Sequence, residues 1–125
     1  MENNKLTDSL EDYLEIIYVL SRDKGEVRLT DIATSLNCSK PSVSKAISLL
    51  KKEKLINQEK YSQITLTDIG IKAAKEIYFR HETLVNFLTK TLGVTEKIAQ
   101  KDACKMEHVI SRTTLNRLIE YMKLK

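Results

Sequence analysis

The sequence predicts a mainly α-helical chain with one short β-hairpin, and three observations carry that prediction. Apolar residues recur at helical spacing along most of the 125 positions. Start and stop residues stand where those runs begin and end: Thr30, Thr67-Asp68 and Thr95 as caps, Pro41 as a helix opener, Gly25 and Gly93 as terminators. Only between Leu55 and Leu66 does the pattern turn strand-like, in two runs separated by Lys60-Tyr61-Ser62.

Taken in order, residues 8–22 form an amphipathic helix with Leu10, Leu14, Ile17 and Val19-Leu20 toward a core. Asp23-Lys24-Gly25-Glu26 stops it and turns the chain. Leu29, Ile32, Ala33 and Leu36 fall at i, i+3, i+4 and i+7, and Val43, Ala46, Ile47 and Leu50 repeat that spacing. Thr30 is the expected N-cap of the first of these helices, with Asp31 in its first turn. Between them Asn37-Cys38-Ser39-Lys40 leads into Pro41, which places the break at Lys40. Leu55-Ile56-Asn57-Gln58 and Ile64-Thr65-Leu66 pair as the hairpin. Thr67-Asp68 opens a long helix over roughly 68–91, ended by Gly93. A helix over about 95–108 and a last one from Ser111 or Thr113 to Met122 follow, the latter with Leu115, Leu118, Ile119 and Met122 on one face. Their apolar faces need a partner, so they are expected to form a dimer interface.

The outward face of the helix after Pro41 points to nucleic acid. Ser39, Ser42, Ser44, Lys45, Ser48, Lys51 and Lys52 leave it small, hydroxylic and cationic. Small hydroxyls permit close approach, lysines neutralise phosphate, and a major groove admits a helix. A hairpin directly after such a helix is a wing, with Lys60 at its tip in reach of phosphate and Tyr61 beside it. The net charge is +4, and residues 38–62 hold six lysines against two glutamates, so the whole excess lies here. The plainer alternative for this stretch is an ordinary solvated helix. The DNA-binding candidates are Ser39, Lys40, Pro41, Ser42, Ser44, Lys45, Ser48, Lys52 and Lys60.

A second stretch suggests metal chemistry. Cys104, Glu107 and His108 occupy i, i+3 and i+4 and point the same way on a helix, so a thiol, a carboxylate and an imidazole converge. Asp12 and Glu15, at i and i+3, put two carboxylates on one side of the first helix. The plainer alternatives are a small buried cysteine and solvated surface acids.

The chain resembles the metal-dependent repressors of the diphtheria-toxin-repressor and manganese-transport-regulator family over nearly its whole length. The likeness is carried by Ser9-Leu10-Glu11-Asp12-Tyr13-Leu14-Glu15-Ile16-Ile17-Tyr18, by Leu29-Thr30-Asp31-Ile32-Ala33 with Ser39-Lys40-Pro41-Ser42-Val43-Ser44, and by Leu66-Thr67-Asp68-Ile69-Gly70. Tyr78-Phe79-Arg80-His81-Glu82 and Ala103 through Ser111 complete it. The resemblance implies a winged helix-turn-helix DNA-binding domain over 1–70 and a helical metal-binding and dimerisation domain over 71–125. It places the metal ligands on Asp12, Glu15, His81, Cys104, Glu107 and His108; both histidines of the chain are among them. Iron-sensing relatives carry Met where Asp12 stands, and manganese-sensing ones Glu where Cys104 stands. An ancillary site of some relatives uses a Glu and a His at the positions of Val85 and Gln100. The sequence ends at Lys125, so the likeness is to the short, two-part members rather than those with a C-terminal SH3-like domain.

The expected function is therefore an Fe²⁺- or Mn²⁺-dependent repressor that binds double-stranded operator DNA as a homodimer. A bound cation would join the first helix to the dimer helices and set the two reading helices about 34 Å apart. An organic-ligand-sensing winged-helix regulator would need a broad apolar pocket without converging ligands. A metalloenzyme would need an extended catalytic set such as HExxH, which is absent from the sequence. A pure dimerisation module does not explain the localised charge. No run of about 18 apolar residues predicts a membrane span, the N-terminal residues show no apolar signal core, and two cysteines without secretory context suit a reducing cytoplasm.

Overall fold

A computed structural model describes residues 6–58 and 63–124. Its elements run α1 (Asp8–Lys24), β1 (Val27–Arg28), α2 (Leu29–Leu36), α3 (Lys40–Lys52), β2 (Ile56–Gln58), β3 (Gln63–Leu66) and α4 (Asp68–Asn86). A π-helical segment (Phe87–Thr91), α5 (Glu96–Met106) and α6 (Arg112–Leu124) complete the chain. The residues divide into two compact units, Met1–Lys75 and Glu76–Lys125.

The first unit is three helices on a small antiparallel sheet of strand order β1-β3-β2. Its buried residues come from every element: Leu14 and Ile17 of α1, Ile32 of α2, Val43, Ala46, Ile47 and Leu50 of α3, and Ile56 and Ile64 of the hairpin. These are the periodic positions of the sequence, buried because one face of each helix and one face of the sheet must leave water. The hairpin pairs Ile56 with Leu66 and Gln58 with Ile64. Its connection, Lys60 included, lies outside the described residues.

Several boundaries differ from the sequence reading. The first turn of α2 is capped from Arg28, not Thr30: the Arg28 N–H donates to Asp31 Oδ2 at 2.8 Å. Leu29 therefore already lies in the helix. Ser39 caps α3 by accepting from the Ser42 N–H at 3.2 Å, so Lys40 and Pro41 fall in its first turn. The break sits earlier, at Asn37, which has left-handed backbone (φ 54). β1 has no counterpart in the sequence reading. It is two residues long, and its pairing with β3, Val27 opposite Ile64, joins positions distant in sequence. The long helix does not stay α-helical to residue 91 but widens to π after Asn86, where Thr89 Oγ1 donates to the Val85 carbonyl at 2.9 Å.

Thr67 starts α4, its Oγ1 accepting from the Gly70 N–H at 3.0 Å and donating to the Lys54 carbonyl at 2.8 Å. Gly70 is required by space: a Cβ there would overlap the Leu55 carbonyl. In the second unit Leu84, Val85, Leu88, Ala99 and Ala103 form a buried cluster, with Val94, Met106, Ile110 and Leu118 packed on it. Thr95 caps α5, accepting from the Ile98 N–H at 3.4 Å. Exposed apolar residues of this unit include Phe79, Leu92, Ile98, Val109 and Tyr121.

Candidate functional site

On α3 the apolar stripe Val43, Ala46, Ile47 and Leu50 is buried, and the opposite face is exposed: Pro41, Ser42, Ser44, Lys45, Ser48, Lys51 and Lys52, with Ser39 and Lys40 at its start. No acidic residue stands in its first turn. The free N–H groups of a helix start, uncancelled by carboxylate, favour phosphate. The cationic and hydroxylic positions expected to meet DNA thus share one solvent-facing surface; Lys60 is outside the described residues.

The turn before α3 is seated on α1. Tyr13 is buried, and burial, followed by its hydrogen bond with Cys38, pushes its phenol above the ordinary value. Cys38 Sγ in turn donates to the Leu36 carbonyl at 3.5 Å. At the other end of α2, Asp31 accepts from Lys24 Nζ at 2.9 Å and from the Arg28 N–H. The Lys24 ammonium, then the Arg28 N–H, hold its carboxyl below the usual carboxylate range. The first unit also contains a cavity of about 340 Å³ between α1, the hairpin and the start of α4, lined by Tyr18, Arg22, Thr65, Leu66 and Ile71.

In the second unit the structure brings His81, Glu107 and His108 together. His81 stands on α4. Glu107 caps α5, its N–H donating to the Ala103 carbonyl at 2.9 Å, and His108 follows in the turn. The helix thus ends before the two residues read as helical, but Glu107 keeps helical backbone, φ −61 and ψ −24. His81 Nδ1 lies 2.7 Å from Glu107 Oε1, and His108 Nε2 lies 3.9 Å from Glu107 Oε2. Glu107 is only 1% exposed, and its Oε2 has no hydrogen-bond partner among the described residues. An unpaired buried polar atom costs about 1–3 kcal/mol, more when charged. A cation beside Oε2 removes that cost, and a carboxylate flanked by two imidazoles is a donor set suited to divalent transition metals. The residues fit a metal.

The other expected ligands are Asp12 and Glu15, half-buried on α1 of the first unit, and Cys104, the one exposed residue of the six. Around the cluster are groups the sequence reading passed over as site residues. Arg80 Nε donates to the Glu107 carbonyl at 2.9 Å, and Glu76 accepts from Arg112 at 2.7 Å and lies 3.6 Å from Arg80. His81 Nε2 meets Gln100 Oε1 at 2.7 Å, and Gln100 Nε2 donates to Glu96 Oε2 at 2.8 Å. Their sequence signal was helical arithmetic: Glu96, Gln100 and Glu107 fall at i, i+4 and i+11, on one side of α5.

Comparison with known proteins agrees with this layout. Residues 5–64 match a family described as "Iron dependent repressor, N-terminal DNA binding domain". Residues 67–124 match "Iron dependent repressor, metal binding and dimerisation domain". An uncharacterized HTH-type transcriptional regulator of Methanocaldococcus jannaschii is 38% identical over 119 residues, 94% of this chain and 95% of that protein. The HTH-type transcriptional regulator MntR of Bacillus subtilis is 38% identical over 120 residues, 94% of this chain and 84% of that one. Among solved structures, the manganese regulator SloR superposes with a TM-score of 0.83 at 30% identity over 96% of this chain. IdeR of T. acidophilum does so with 0.84 at 28% identity, also over 96%. The chain spans 56% and 55% of those two structures, little more than half of each.

Proposed function

The chain belongs to the iron-dependent repressor family, and on that premise we propose that it is a metal(II)-dependent transcriptional repressor that binds operator DNA as a homodimer. The observation that carries the metal dependence is Glu107: a buried carboxylate with one oxygen unpaired, set between two imidazoles. His81, Glu107 and His108 hold the ion. Asp12, Glu15 and Cys104 complete the ligand set that the family resemblance assigns. Asp12 and Glu15 lie on α1, in the unit that carries the reading helix, and the family resemblance couples metal occupancy to DNA binding through them. The DNA surface is the exposed face of α3 from Ser39 to Lys52, and Lys60, read from the sequence as the tip of the wing, extends it. The dimer forms through the second unit, and operator DNA as partner places the protein in the cytoplasm. No described helix is long and apolar enough to cross a membrane.

The activating ion is Fe²⁺ or Mn²⁺. Three carboxylates and two imidazoles favour either, and a thiolate at Cys104 tips the balance to Fe²⁺. Cys104→Glu then moves activation toward Mn²⁺. The test is anaerobic gel-shift titration of genomic fragments with Fe²⁺, Mn²⁺ and chelator, on wild type and on this variant. Operator binding that survives chelation unchanged rejects the metal dependence. Unchanged relative activation in Cys104→Glu rejects the sulfur as a selectivity determinant.

A further inference from the structure

We propose that Gln100, oriented by Glu96, is a positioning residue that fixes the tautomer of His81 and makes Nδ1 the nitrogen that meets the metal. This rests on the metal reading above and adds to it two residues that ligate nothing themselves.

Three hydrogen-bonding groups lead inward from the surface to Glu107: Glu96, Gln100 and His81. Glu96 and Gln100 are one turn apart on α5, and Gln100 Nε2 donates to Glu96 Oε2 at 2.8 Å. An ionised carboxylate only accepts, so this contact decides which end of the amide is which: the NH₂ faces Glu96 and the carbonyl oxygen faces away. That oxygen lies 2.7 Å from His81 Nε2. An amide oxygen also only accepts, so Nε2 must carry the hydrogen and donate it. In the neutral imidazole the lone pair is then on Nδ1, and Nδ1 lies 2.7 Å from Glu107 Oε1, on the buried side of the ring. Two acceptors facing each other at that distance repel unless a cation serves both. The Glu96–Gln100 pair therefore turns the basic nitrogen of His81 toward Glu107, whose other oxygen, Oε2, is buried without a hydrogen-bond partner among the described residues. Outer partners of this kind fix the orientation of a metal-binding histidine and raise its basicity. Position 100, where the resemblance puts a histidine ligand in some relatives, here serves His81 instead.

The test uses the full-length protein loaded with NMR-active cadmium, a diamagnetic probe, and reads the ring nitrogens of its 2 histidines. The expected result is cadmium coupling on His81 Nδ1, with Nε2 still protonated. In Gln100→Leu the metal-free ring moves its proton to Nδ1, where Glu107 Oε1 still accepts at 2.7 Å, and Mn²⁺ affinity falls about ten- to a hundredfold. Gln100 is exposed, so this variant leaves the fold intact, which circular dichroism verifies. Gln100→Glu combined with Glu96→Gln reverses the donor and acceptor of the 96–100 contact, keeps an acceptor for Nε2, and restores both the tautomer and the affinity. Cadmium coupling to Nε2, or a Gln100→Leu protein with wild-type ring signals and wild-type Mn²⁺ affinity, overturns the positioning role while leaving the metal site standing. Cadmium that couples to neither histidine rejects the metal reading itself, and this inference with it.

Discussion

On α3 the functional side chains are the exposed ones, and buried neighbours such as Val43 and Leu50 hold the helix that presents them. At the metal cluster Glu107 and His108 are themselves buried. The first arrangement costs little stability, because each lysine keeps its water until DNA replaces it. The second stores an unfavourable feature, the unpaired Glu107 oxygen, until an ion arrives. Losses on α3 should therefore be graded and spread over several residues. Losses at the cluster should be close to all-or-none, and its removal should relieve the metal-free protein.

The largest expected effect tests that contrast directly. Glu107→Gln should abolish the metal response of operator binding, a loss of about ten- to a hundredfold at saturating metal. It should also raise the melting temperature of the metal-free protein by about a few degrees, since a buried charge is gone. Gel shifts and thermal unfolding in chelator check the two halves. A metal-free variant less stable than wild type breaks the comparison, because Glu107 would then be structural.

Next is a purely structural effect within the first unit. Gly70→Ala sets a methyl group against the Leu55 carbonyl and should cost about 1–3 kcal/mol in denaturant unfolding. Metal affinity is unaffected as long as the protein is folded. An Ala variant as stable as wild type means the start of α4 shifts freely.

On the reading face, Lys45→Ala and Lys52→Ala should each weaken operator binding by about tenfold and lower the salt dependence by about one counterion, without change in melting temperature. Wild-type affinity in both variants removes α3 as the reading helix. The smallest effect concerns Asp31. Its folded carboxyl lies below the ordinary value of 3.8, so the stability it contributes is present above that pH and disappears as pH falls through the depressed value. Asp31→Asn should therefore lower the melting temperature by about one or two degrees at pH 7, and the gap should narrow as the pH is lowered below 3.8. A gap that does not change with pH assigns the effect to capping alone.

The same difference between the regions explains what could be read in advance. The sequence by itself determined the helices, the hairpin and the exposed basic face of α3, because these follow from a period that a few adjacent residues state. Val43, Ala46, Ile47 and Leu50 bury one side of α3, and that leaves Ser44, Lys45, Ser48 and Lys52 on the other. It also singled out Glu107 and His108 as neighbours. Tertiary structure alone decided that Glu107 is 1% exposed with an unpaired oxygen, and that Arg80 holds its carbonyl. It alone decided that Gln100 reaches the far nitrogen of His81, and that Val27 and Arg28 form a strand. Each of these is a contact between residues many positions apart. Local periodicity says which way a side chain faces, but packing decides what it meets there and whether water is left beside it.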